Sequence, residues 1–356
     1  MERYTADTVE FALPSSFWPT VYRLAGGQAW PPRDVEEASL LVNRAIPEGL
    51  LSLLIREPDL PPEVYRTARK HQALERSNRL RSRMFEESLT TVLDVLDGES
   101  IIVLKGTDYA YRLYPEPHLR PRQDIDVLVR RDRADAITDR LKAAGFKLHF
   151  TAGAVARVGS YHQRVFEVGN ATVEVHHAFI QRARNRVDYK GVWERARSWN
   201  GFDRRAFQLD DVDRFLFHAI NMGADQFSNP IFRHLDVWLM LRNRGDMLST
   251  VVARAREWST ARALYGALRQ TSRYFPEFRT PAVDQALLEI LPLRTRAFLD
   301  SKILPDPWLP RKKYRRAGQL WRKFWLIDDG LHRASFALYH VWEVVGGKVL
   351  EVIDRE

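Results

Sequence analysis

The sequence contains no cysteine. That absence excludes disulfides, thiolate zinc centres and cysteine nucleophiles. No uncharged apolar run reaches the roughly 18 residues that a membrane span needs. The opening residues, MERYTADTVEFALPSSFW, lack the basic flank and apolar block of an export signal. The expectation is a cytoplasmic protein without a transmembrane segment. Repeats of fixed period and low-complexity tracts are also missing.

What is present is an ordinary globular composition, 45% hydrophobic and 28% charged over 356 residues. Such a chain can bury a sizeable core, and its length suggests two or three domains. Lysine and arginine total 55 against 46 acids, a net charge of +9. That surplus favours anionic partners, meaning nucleotides, nucleic acid or a membrane surface. A merely basic enzyme is equally compatible with it.

Three stretches with different periods succeed one another. Residues 1–97 read as helical. WPPRDVEEASLLVNRAI opens with prolines and an Asp34 cap, and the run from Asp59 to Gly98 reads as one long amphipathic helix. Residues 98–204 mix short β-branched runs with helix signals. SIIVLK and DIDVLVR are strands, GTDYAYRLY is a short helix, and DRADAITDRLKAAGF is a helix capped by Asp132 and closed by Gly145. FKLHF reads as a further strand. YHQRVFEVGNATVEVHHAF reads as a hairpin about Gly169-Asn170. Helical period returns over 205–356. The predicted fold class is α+β, a small sheet with helices between N- and C-terminal helical regions.

Two acids interrupt the apolar strand DIDVLV. Alternate side chains of a strand share a face, so Asp124 and Asp126 project together while Ile125, Val127 and Val129 point away. Adjacent carboxylates repel, and a divalent cation is the usual remedy. A half-exposed strand with a wet face is the plainer alternative. In TVEVHH, Glu174 projects opposite to its flanking valines, with His176 on its own face. If this strand lies beside the first, Asp124, Asp126 and Glu174 form a cluster able to hold two metals, magnesium suiting them, that could clamp the attacking and leaving oxygens of a phosphoryl or nucleotidyl transfer.

Upstream, IIVLKGTDYAY reads as strand, turn and helix start. A helix N-terminus offers unpaired N–H groups and a positive dipole end to a phosphate. Gly106 would admit a close approach and Lys105 would add a point charge. Thr107 or Asp108 could instead serve only as a cap. Arg120, Arg122 and Gln123 precede the acids and could hold the outer phosphates of a nucleoside triphosphate.

These residues resemble the DNA polymerase beta-like nucleotidyltransferase superfamily, with its glycine turn, its hDhDh strand and a third acid on a later strand. VLKGTDYAYRLYPEPHLRPRQDIDVLV is similar, more closely, to a bacterial nucleotidyltransferase family with an LKG … RP … DID-LV signature. The likeness extends over roughly residues 98 to 242, including VEVHH and the helical FLFHAINMGADQFSNPIFRHLDVWLML. Two departures stand out. Lys105-Gly106 replaces the usual Gly-Ser, and Glu174 replaces the usual Asp. The resemblance implies metal-dependent transfer of a nucleoside monophosphate from an NTP to an acceptor hydroxyl. ATP is the expected donor and two Mg2+ ions the expected cofactor, with Mn2+ as a substitute. By the same resemblance Asp124 and Asp126 bind both metals. Glu174 binds the catalytic metal and assists deprotonation of the acceptor. Fold-level analogy names no acceptor, which could be a small molecule, a protein or peptide, or an RNA end.

Further candidates have two readings each. His218, Arg233, His234 and Asp236 could line the cleft from the far side, or hold helices together through buried hydrogen bonds. Asp236 and His176 are possible supports of the metal ligands. His176 with His177 lacks the further ligands of a zinc site. PRKKYRRAGQLWRKFW carries seven basic residues, with Tyr314, Trp321, Phe324 and Trp325 on one stripe. It could bind RNA, an acidic peptide or a membrane surface, or simply pack by its aromatic face. A non-catalytic nucleic-acid binder using that segment is the competing functional class.

Overall fold

The structure is a computed structural model. It describes residues 11–149, 162–169, 171–180, 184–308, 316–338 and 340. Five helices come first: α1 (Phe17–Leu24), α2 (Val35–Ala45), α3 (Leu51–Arg56), α4 (Pro62–Arg69) and α5 (Gln72–Val95). The Asp34 side chain accepts a hydrogen bond from the Glu37 N–H at 2.9 Å, so the expected cap starts α2. The single helix expected from Asp59 to Gly98 is instead two, broken at Lys70-His71 between α4 and α5. Charged side chains continue across that break, so periodicity alone does not reveal it.

The sheet unit follows. Its elements are β1 (Ile101–Leu104), α6 (Lys105–Arg112), β2 (Asp124–Val129), α7 (Ala134–Ala143), β3 (Lys147–His149), β4 (Gln163–Val168), β5 (Ala171–His176), α8 (Tyr189–Arg195), β6 (Arg197–Ser198) and β7 (Phe207–Gln208). The seven strands run in the order β3-β4-β5-β2-β1-β7-β6. β4 and β5 pair antiparallel with Val168 opposite Ala171, as the hairpin expectation requires. Asn170 lies outside the described residues. Asp132 does not cap α7. It sits in a 3-10 turn, and Arg133 precedes the helix without a side-chain cap. The two-residue strands β6 and β7 have no sequence signal, because neither is long enough to show an alternation.

The C-terminal part is helical: α9 (Asp211–Ala224), α10 (Ile231–Leu241), α11 (Leu248–Glu257), α12 (Ala261–Tyr274), α13 (Pro281–Glu289), α14 (Leu293–Phe298) and α15 (Arg316–Trp325). The mixed α+β architecture matches the expected class. No helix among the described residues is long and apolar enough to cross a membrane.

Strand alternation divides the core in two. Ile101, Val103, Ile125, Val127, Val129, Val173 and Val175 face Phe85, Leu89 and Val92 of α5 together with Ile137 and Leu141 of α7. Ile102, Leu104 and Leu128 face the larger cluster, which joins α1–α4 to α9–α13. Each fully buried aliphatic side chain is worth about 1.5–3 kcal/mol, so this packing fixes the register of β2 and with it the positions of its acids.

Candidate active site

β2 and β5 run parallel, with Asp126 beside Glu174 and Leu128 beside His176. β1 lies on the other side of β2 and ends with Leu104 opposite Asp126. The next residue, Lys105, therefore starts α6 directly at the acids. It takes φ 45°, a left-handed conformation that a non-glycine residue enters only at some cost.

This geometry gathers Asp126, Glu174 and His176, whose potential ligand atoms all lie within 4.8 Å of one another. Asp126 is fully buried. Its Oδ1 lies 2.8 Å from His176 Nε2 and also contacts Lys105 Nζ. Its Oδ2 is buried with no hydrogen-bond partner among the described residues. Glu174 Oε2 is 3.4 Å from Lys105 Nζ and 3.3 Å from His176 Nε2. Asp124 stands at the half-buried rim, opposite Thr172, outside that group of three. The sequence therefore points to the strands and their shared face, while the structure draws His176 closer to Asp126 and Glu174 than Asp124.

The electrostatics follow from burial and charge. Burial, with the neighbouring Asp126 carboxylate second, pushes Asp124 up to about 6. Burial would also raise Asp126, but Lys105 and His176 outweigh it and hold Asp126 well below the ordinary carboxylate range. Burial would lower Lys105, and the carboxylates of Asp126 and Glu174 overcome that and raise it. The His162 ring lies 5.8 Å from that of His176. Burial first, with neighbouring basic groups adding to it, pulls His162 down to about 3.

The acids open on a cleft of about 440 Å³. Lys105, Gly106, Arg120, Arg122, Gln123, Asp124 and Asp126 all line it. Thr107 does not; it is buried and its Oγ1 has no partner. The two arginines line the cleft but are not free on a loop, since each is held by partners of its own chain. Arg120 is buried, donates from Nη2 to Asp236 Oδ2 at 2.9 Å and stacks over Phe232 at 5.0 Å. Burial tends to lower Arg120, and the Asp236 carboxylate more than compensates. Arg122 is buried too, with Nη2 donating to Ser82 Oγ at 2.6 Å and to the Ser82 carbonyl at 3.1 Å. Burial leaves Arg122 below its ordinary value. A Cβ added at Gly106 would come within 2.5 Å of Arg120 Nη1. The glycine therefore makes room for an arginine of its own chain, a different role from the expected approach to a phosphate.

Asp236 accepts from Tyr114 Oη at 2.9 Å as well as from Arg120, and so supports the loop before β2 and not the acids themselves. His218 Nε2 lies 2.8 Å from the Arg233 carbonyl, and His234 Nδ1 lies 3.1 Å from Thr271 Oγ1. These contacts tie helices together, although His218 and Arg233 also line the cleft. The cleft wall that sequence reasoning missed is α5, which contributes Leu74, Asn78 and Arg81. Arg81 is exposed. The cationic run ERSNRLRSR was visible in the sequence, but nothing local placed it opposite the acids.

At the other end of the chain, Trp325 packs edge-on against Phe298 at 5.0 Å. Arg322 is buried and donates to the Ile303 carbonyl. Trp325 of the aromatic stripe therefore packs inward and one cation of α15 is turned inward, while Trp321 stays exposed. Arg311, Lys312, Lys313, Tyr314 and Arg315 lie outside the described residues.

No curated protein matches the chain. A family profile described as an uncharacterised nucleotidyltransferase matches residues 34–276, a span that includes the acid-bearing strands, the Lys-Gly turn and the cleft walls from α5, α9 and α10. With well over half of its length matched, the chain belongs to this nucleotidyltransferase family.

Proposed function

We propose that the protein transfers a nucleoside monophosphate from an NTP, ATP first among them, to an acceptor hydroxyl. The observation that carries this reading is the in-register pair Asp126 and Glu174, with the Asp126 Oδ2 buried and unpartnered among the described residues, where Asp126 and Asp124 line a cleft that cations also line. The carboxylates of the donor set suit a hard divalent ion such as Mg2+ or Mn2+, with the imidazole a nitrogen donor beside them. Asp126 and Glu174 would hold it, with Asp124 at the rim and His176 alongside. Such ions, two in related chemistry, would neutralise charge developing on the phosphate and on the attacking and leaving oxygens.

The chain's own residues do the rest. Arg81, Gln123 and the first N–H groups of α6 receive the triphosphate. Arg120 and Arg122 stiffen the wall behind it. Glu174 accepts the proton of the acceptor hydroxyl, whose oxygen forms a bond to the α-phosphorus as the bond to the β-phosphate bridge breaks and pyrophosphate leaves. The sheet unit, residues 98–204, supplies the chemistry, and the helical segments 1–97 and 205–356 wall the cleft. The cysteine-free composition suits a reducing, cytoplasmic setting.

The test is calorimetric titration of each NTP, with and without Mg2+, on wild type and on Asp124→Asn/Asp126→Asn. Magnesium-dependent binding that the double variant loses supports the reading and opens a search for acceptors with labelled ATP. If no NTP binds and RNA binds with a steep salt dependence indifferent to Mg2+, the protein is a nucleic-acid binder and not a transferase.

A further inference from the structure

Lys105 was expected beside a phosphate, yet its ammonium lies among the acids. Nζ touches Asp126 Oδ1 and stands 3.4 Å from Glu174 Oε2 and 3.4 Å from His176 Nε2. These are the three residues whose ligand atoms converge. A divalent ion and an ammonium repel each other, so both cannot comfortably sit among the same three ligand atoms. The lysine is also held there by the backbone, since its left-handed φ follows directly from the end of β1. The opposing side of its environment is the cleft, which it lines.

We infer that Lys105 is a tethered cation that occupies the metal position until a divalent ion displaces it. The inference rests on the proposed nucleotidyl-transfer reading and adds a step to it. Without metal, the ammonium spares Asp126 and Glu174 an uncompensated burial of like charge. When the ion enters, Lys105 swings into the cleft, where the phosphates of an incoming nucleotide offer it a new partner. Metal and nucleotide then favour each other's binding, because each relieves the lysine displaced or attracted by the other.

The experiment uses Mn2+ alone, without nucleotide, titrated calorimetrically into wild type and Lys105→Met. Removing the competing charge should tighten Mn2+ binding by about tenfold or more, within the usual range for coupled ligands. The melting temperature of the variant should also rise more on adding Mn2+ than that of wild type. A second measurement needs no variant. Amine labelling of wild type, read at Lys105 by mass spectrometry, should accelerate when Mn2+ is added, since the displaced ammonium becomes reachable. This labelling decides the matter if Lys105→Met does not fold. Equal Mn2+ affinity in both proteins, or labelling unaffected by saturating Mn2+, overturns the tethered-cation role and leaves the metal site standing. Failure of both proteins to bind Mn2+, with or without ATP, removes the metal site and the inference together.

Discussion

His218 shows how a single side chain can be placed by its neighbours and not by any local motif. It is buried, its Nε2 meets the Arg233 carbonyl at 2.8 Å, and its ring stands edge-on to Tyr109 at 5.2 Å. Burial lowers its pKa to about 4. The unfolded chain regains the ordinary value near 6.5. Above that value both states are neutral and the residue adds no pH dependence. Between about 6.5 and 4 only the unfolded state takes up the proton, so stability falls as pH falls. From pH 7 to pH 5 this residue alone should remove about 2 kcal/mol. Urea midpoints of wild type and His218→Asn across that range measure it, and parallel slopes for the two proteins would contradict the assignment. The sequence flagged His218 as either cleft residue or helix tie. The structure makes it both.

At the scale of elements, the loop before β2 and helix α10 are held by the Arg120–Asp236 pair with Tyr114 as a third member. Both ionic partners are buried, and the two residues are 116 positions apart in the chain. Breaking such a pair by removing one member strands the other charge and costs about 3–5 kcal/mol. Arg120→Met should therefore lower the unfolding free energy by that amount. Arg120→Met/Asp236→Leu, which removes both charges, should lose clearly less than the sum of the single changes. Additive losses in a urea double-mutant cycle would show that the pair is not coupled. The longer strands and the start of α2 were legible because period-two alternation and a cap such as Asp34 are local. The break between α4 and α5 was not, because charged residues solvate either arrangement equally well.

The whole molecule is bound together by the larger core cluster, which runs from α1–α4 across Ile102, Leu104 and Leu128 to the C-terminal helices. Phe17 and Phe275 stack at 5.9 Å, and Thr20 Oγ1 donates to the Tyr274 carbonyl at 2.9 Å. The first and last helical segments therefore bury one face of the sheet jointly. An isolated 98–204 fragment would leave that face in water, and an exposed apolar sheet face favours aggregation. Such a fragment should show no cooperative thermal transition by circular dichroism. The full chain should give one transition, coincident by circular dichroism and tryptophan fluorescence. A well-folded fragment would instead mean that the sheet and α7 suffice without α5 and without the larger core.

By itself the sequence determined the strand that carries Asp124 and Asp126, the hairpin that carries Glu174 and His176, and the turn that begins with Lys105. Each rests on a short-range rule, alternation or capping, that needs no distant neighbour. Only the tertiary structure decided that β5 lies parallel to β2 with Glu174 beside Asp126, that Arg120 and Arg122 turn inward to Asp236 and Ser82, and that Lys105 rests among the acids. Those outcomes depend on partners far along the chain. A buried charge takes whichever opposite charge or hydrogen-bond acceptor the packing brings to it, and no local pattern specifies which one that will be.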